Sequence, residues 1–245
     1  NVQDLFPQNA VDLGVLKNPL LIWGFRKIEA LVYRSASKIT LHSAGNREHI
    51  LRQFPNIENK LSVLHNWVDT SHHACSSESI DFRKRFGIQQ KNIALFAGVM
   101  GPSQHLELVL HIAEKVMAQD EWLFLFVGDG AEKDRLSKIA RSKKLNNVCF
   151  KGFVSRDEYP DLLRICSCGL VCLSPLNKTP VVPGKILGYM AAGLPVVAFL
   201  HPNSDVKDQL NVLIPIISPF ELSKGPPLLP GLIEASVCIR STIAF

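Results

Sequence analysis

The chain has 245 residues, 47% of them hydrophobic and 20% charged, which suits a soluble globular protein of one or two domains with a sizeable core. No apolar run reaches the roughly 18 residues needed to span a bilayer, and the opening NVQDLFP lacks the basic region and cleavage site of an export signal, so a cytoplasmic location is expected. A net charge of +5 favours anionic partners, but without a concentrated basic stripe or a helix-turn-helix pattern nucleic acid is not one of them.

In chain order, an amphipathic stretch from Leu20 to Arg34 follows a loop-like start. A strand over Lys38–His42, a helix reaching Gln53 and a strand over Lys60–His65 come next. These elements read as the later part of a domain whose earlier strands are not in the sequence. The segment LIWGFRKIEALVYR sets Trp23, Phe25 and Tyr33 among Arg26, Lys27 and Arg34. Packing on a sheet is the expected role, and an anionic membrane surface is the alternative partner, which would make the protein peripheral on the inner face of the plasma membrane. From residue 91 the pattern is βαβα, with strands at Lys91–Gly98, Trp122–Gly128 and Asn147–Phe150. A helix over Ser155–Ile165, opened by a Ser155/Glu158 capping box, precedes a strand at Gly169–Ser174. Helix Lys185–Ala192 and strand Pro195–Phe199 follow. Such alternation predicts a doubly wound parallel sheet, with ligands in the crevice beyond the carboxyl ends of its strands.

The stretch PVVPGKILGYMAAGLPVVA, residues 180–198, carries the most chemistry. Pro183 and Gly184 suit a first helical turn, Lys185 sets a cation beside unpaired backbone N–H groups, and Gly193 before Pro195 suits a left-handed helix end. A diphosphate would gain from the amides, the helix dipole and Lys185 together; an ordinary helix–strand joint with a solvated lysine is the competing reading. Val127-Gly128-Asp129-Gly130 closes a strand with glycines that permit close backbone approach. Six cysteines, at 75, 149, 166, 168, 172 and 238, show no metal spacing and read as free thiols in a reducing compartment.

Taken in order, these segments resemble family 4 glycosyltransferases of the GT-B fold, in particular the WbuB-like enzymes of O-antigen and colanic-acid type assembly. VQDLFPQNAVDLGVLKN, HNWVD at 65–69, GVMGPSQHLE at 98–107, FVGDGAEKDRL at 126–136, NVCFKGFVSRDEYPDLL at 147–163 and VPGKILGYMAAGLPVVA at 182–198 carry the likeness, from about residue 2 to about 208. The resemblance implies an α/β chain of two Rossmann-like domains with parallel sheets, the N-terminal one incomplete. Residues 1–69 would be acceptor domain and linker, 70–210 the nucleotide-sugar domain and 211–245 an atypical tail. It implies sugar transfer, retaining in the family's manner, from a nucleotide-diphosphate sugar, UDP favoured, to a polyprenyl-diphosphate-linked or other glycan, with no cofactor and no metal. Gly98, Met100, Gly101 and Gln104 would approach the diphosphate with Gly128, Asp129, Pro183, Gly184 and Lys185. Gly152, Phe153 and Val154 would hold the base, and Lys185 would stabilise the leaving group.

The sequence also departs from the family. Pro180 and Gly188 stand where many relatives have glutamates, Val99 where the subgroup has asparagine, and His105 where it has glycine. Residues 211–245 have clustered prolines, no clear period and no likeness to the family. An active transferase and a truncated relative that binds nucleotide without catalysis are therefore the two readings of function.

Overall fold

The computed structural model describes residues 1–70 and 80–200, and the backbone of 237–239. The chain divides into two compact units: residues 1–67 with 173–183 and residue 200 form one, and residues 68–172 with 184–199 form the other. Apart from 237–239, the tail expected at 211–245 lies outside the described residues, as does Cys75.

In the first unit, α1 (Gln8–Asp12) precedes α2 (Pro19–Ser35), β1 (Ile39–Leu41), α3 (Ala44–Gln53) and β2 (Leu61–Val63). Asn18 starts α2 by accepting the N–H groups of Leu20 and Leu21, and proline at the first helical position needs no partner there. Ser43 caps α3 through the Asn46 N–H. β1 and β2 pair in parallel, and Leu5, Tyr33, Ile39, Leu41, Ile50, Ile57 and Leu61 form a small core around them. Packing had been expected for the apolar face of α2, yet only its Tyr33 is buried. Leu20, Leu21, Ile28, Leu31 and Val32 are exposed, and Trp23 is 64% exposed. A two-stranded sheet offers one narrow face, which Tyr33 and its edge-on partner Phe54 already occupy.

The second unit runs α4 (Phe82–Phe86), β3 (Asn92–Ala97), α5 (Glu107–Val116), β4 (Trp122–Val127), α6 (Lys133–Ser142), β5 (Val148–Lys151), α7 (Tyr159–Arg164), β6 (Cys168–Cys172), α8 (Lys185–Ala191) and β7 (Val196–Phe199). Its sheet has the order β5-β4-β3-β6-β7, all parallel, and β8 (Val237–Ile239), a strand that no periodicity predicts, pairs antiparallel with β7. β3, β4, β6 and β7 are almost wholly apolar because helices cover both faces of a parallel sheet. Phe96, Phe124, Phe126, Leu110 and Met100 are central to the core. The Ser155/Glu158 box forms reciprocally, Ser155 N–H to the Glu158 carboxylate and Glu158 N–H to the Ser155 hydroxyl, both at 3.3 Å. It closes a turn over 156–158, so α7 starts at Tyr159, later than the expected Ser155.

Candidate functional site

The order of strands reverses between β3 and β6, the place where doubly wound sheets open a crevice. These two strands pair only at Ala94 with Cys168 and Leu95 with Gly169. Beyond that register, the hydroxyl of the buried Tyr189, on α8, donates to the Leu95 carbonyl at 3.2 Å and accepts the Ala97 N–H at 3.1 Å. It replaces the ladder bonds that the parting strands would otherwise lose. Gly169 makes room for the ring, since a Cβ there would lie 2.4 Å from it. α8 ends as its sequence foretold: Gly193 is left-handed, and the N–H groups of Gly193 and Leu194 reach the Met190 and Tyr189 carbonyls in a Schellman motif.

Lys185 opens α8 and directs its ammonium to the loop after β3. Nζ donates to Gln104 Oε1 at 3.0 Å and lies 3.6 Å from the centre of the Phe96 ring. A Cβ on Gly98 would be 3.8 Å from Nζ, so the ammonium stands directly beside this loop. Burial lowers Lys185 from 10.5 to about 8, with Cys172 pulling weakly the other way. Cys172 itself is pushed up to about 12 by burial and stays a thiol. A lysine at a cleft mouth would be solvated; this one is partly desolvated and held by an aromatic face and an amide.

The glycines separate into two kinds. A Cβ on Gly128 would lie 2.1 Å from the Gly98 carbonyl oxygen, and one on Gly130 would lie 2.4 Å from the Met100 carbonyl oxygen. The two loops continue the β3–β4 ladder past the strands, with Gly98 N–H on Val127 O and Met100 N–H on Asp129 O. The close approach expected of Gly128 is thus made by the protein's own backbone. Met100 is fully buried with its N–H so engaged, which makes it a core residue, and the Gly98 N–H is spent in the same way. Around Gly101, Gly152 and Gly184 the space that a Cβ would take is open. Asp129 folds back on the Gly130 N–H at 2.8 Å and pairs loosely with Lys133. Phe153 projects from the loop after β5, 68% exposed, with Val154 half-buried beside it. Pro183 is buried and falls in the first unit.

One expectation is revised by this geometry. α8 has seven residues, so its dipole is short and attraction of an anion falls mainly to the lysine. His105 takes the left-handed conformation, φ 46°, which explains glycine in the subgroup at that place and makes histidine a strained substitute there. Phe96 and Tyr189 were not singled out from sequence, because an aromatic residue in an apolar strand or helix signals only a core position. Among the described residues no cluster of His, Cys, Asp or Glu suits a metal ion, and no helix is long and apolar enough to cross a membrane.

A parallel doubly wound sheet of this order is matched by part of solved GT-B glycosyltransferases. The solved Anabaena HepE complex with UDP-glucose matches 76% of this chain and 50% of that one, with TM-score 0.61 and 22% identity. WaaG, a glycosyltransferase of lipopolysaccharide biosynthesis, matches 83% and 56%, with TM-score 0.60 and 14% identity. The chain belongs to the family of group 1 glycosyl transferases, whose model matches residues 78–205, more than half of its length. It is 26% identical over 207 residues to the probable glycosyltransferase WbjE of Pseudomonas aeruginosa, covering 84% of this chain and 51% of the relative. To the putative colanic acid biosynthesis glycosyl transferase WcaI of Escherichia coli K12 it is 29% identical over 163 residues, covering 62% and 40%. The chain therefore spans about half the length of the curated relatives it matches, or less.

Proposed function

We propose that the second unit, residues 68–172 with 184–199, carries the donor site of a glycosyltransferase that moves a hexosyl or N-acetylhexosaminyl group from a UDP-sugar to a polyprenyl-diphosphate-linked or other glycan acceptor in cell-surface polysaccharide assembly. The observation that carries this reading is the Lys185 ammonium, held in the switch-point crevice by Gln104 and Phe96. In the transfer, the bond from the sugar's anomeric carbon to the diphosphate oxygen breaks and the diphosphate leaves with the electron pair. The acceptor oxygen bonds to that carbon and passes its proton to the departing diphosphate oxygen. Lys185 neutralises charge developing on the leaving diphosphate without reorganising solvent. Gly101 and Gly184 leave room for phosphate oxygens, and Phe153 offers a face for the base. Retention of anomeric configuration and independence of metal ions accompany this reading, with the first unit contributing toward the acceptor. An anionic bilayer is the surface proposed for the exposed apolar side of α2, flanked by Arg26, Lys27 and Arg34, at the inner face of the plasma membrane.

Nucleotide binding without turnover is the second reading, favoured by Pro180 and Gly188 in place of the family's glutamates. Calorimetry with UDP, GDP and their sugars, run beside a transfer assay on a lipid-linked acceptor, tests both. Binding of UDP tighter than about 1 mM supports the donor site. Product formation supports the transferase, binding without product supports the second reading, and a folded chain that binds none of them refutes both.

A further inference from the structure

A long, strongly hydrated lysine side chain stays in a crevice only where a partner holds it there. A lysine stem ordinarily lets its ammonium reach water, and the partial burial of this one weakens its hold on the proton. We propose that Gln104 is a positioning residue for the proposed transfer, whose side-chain carbonyl holds the Lys185 ammonium against Phe96 and beside Gly98, ready for the donor diphosphate. This role rests on the donor-site reading above.

The local backbone builds Gln104 for the task. It ends the 3₁₀ turn Pro102–Gln104, and its N–H donates to the Gly101 carbonyl at 3.0 Å. The turn then leaves through the left-handed His105, so the side chain is aimed by the backbone on both sides. An ammonium can only donate, which fixes the amide oxygen as the atom facing Lys185; the amide nitrogen lies toward the Ser103 hydroxyl at 3.4 Å. The acceptor being neutral matters. A carboxylate at this place would hold the lysine too, but would cancel its charge and repel a diphosphate, whereas an apolar side chain would leave the ammonium with only the Phe96 face. From β6, the titratable group facing the lysine is Cys172, which stays protonated well above neutral pH and does not compete. The expected contact of Gln104 with the donor thus becomes an indirect one, exerted through Lys185.

Two variants of the full chain push the cation in opposite directions. NMR titration of labelled lysine follows Lys185, and UDP binding by calorimetry is measured between pH 6 and 10, with thermal melts confirming folding. In Gln104→Leu, Lys185 should titrate at lower pH than in the wild type. UDP affinity at neutral pH should fall about tenfold, the scale of one hydrogen bond to a charged group. In Gln104→Glu, Lys185 should titrate at higher pH, and the alkaline loss of UDP affinity should move up with it, while affinity at pH 6 falls through repulsion. Unchanged titration of Lys185 in Gln104→Leu, or a wild-type pH profile of UDP binding in that variant, overturns the positioning role and leaves the donor site standing. A folded wild type that binds no UDP at any pH overturns both.

Discussion

The two sets of glycines at the carboxyl edge of the sheet look alike in sequence and differ in what presses on them. Gly128 and Gly130 are filled by the protein, their missing side chains replaced by the backbone of residues 98–100. Gly101 and Gly184 face open space, Gly184 next in the chain to the partly desolvated Lys185. The first pair holds two loops together, and the second leaves a place for something else. A glycine in a phosphate-loop pattern therefore says that backbone comes close, without saying whose.

Four substitutions probe this contrast, the most disruptive first. Gly128→Ala sets a methyl group 2.1 Å from the Gly98 carbonyl at φ +138°, so it should destabilise the chain by about 4 kcal/mol or prevent folding, as read by urea titration. Lys185→Met should have the opposite sign, raising stability at pH 7 at the expense of diphosphate binding, because it removes a partly buried charge. Burial holds Lys185 near 8 against 10.5 when unfolded. Between those values the unfolded chain binds a proton that the folded chain has released, so the lysine's penalty fades as pH rises. The gain from Lys185→Met, at most about 3 kcal/mol below pH 8, should shrink toward pH 10.5 in melts of both proteins. His105→Gly relieves a left-handed histidine and should stabilise by about 1 kcal/mol, measurable as a rise in Tm. Gly101→Ala, at an extended φ of −117° with open space around it, should change stability by less than about 0.5 kcal/mol while weakening UDP binding. Loss of stability in Gly101→Ala like that in Gly128→Ala would erase the distinction.

Periodicity made the second unit legible, because strands covered on both faces read as continuous apolar runs and each helix carries its own stop signal. Gly193 with Pro195 marked the end of α8 to within a residue. The start of α7 was less legible, since a capping box specifies two hydrogen bonds and these close a turn as readily as a helix. The exposed side of α2 was not legible either. Leu20, Leu31 and Val32 have the spacing of a packed face, and spacing cannot say whether anything lies against it. At the site, Lys185 stood out as a charge beside a helix start. Gln104, Phe96 and Tyr189 gain their roles from neighbours some 80 to 95 positions away, as in the pairs Gln104–Lys185 and Leu95–Tyr189, and a single sequence holds no record of those contacts.

The proposed donor site depends on Lys185 as the cation that meets the diphosphate. Titration of UDP into the wild type and Lys185→Ala at pH 7, with both shown to be folded, tests it most directly. A wild-type Kd below about 1 mM that weakens at least tenfold in the variant is the predicted result, a difference of about 1.4 kcal/mol or more. Equal affinities in the two folded proteins would remove Lys185 from the site.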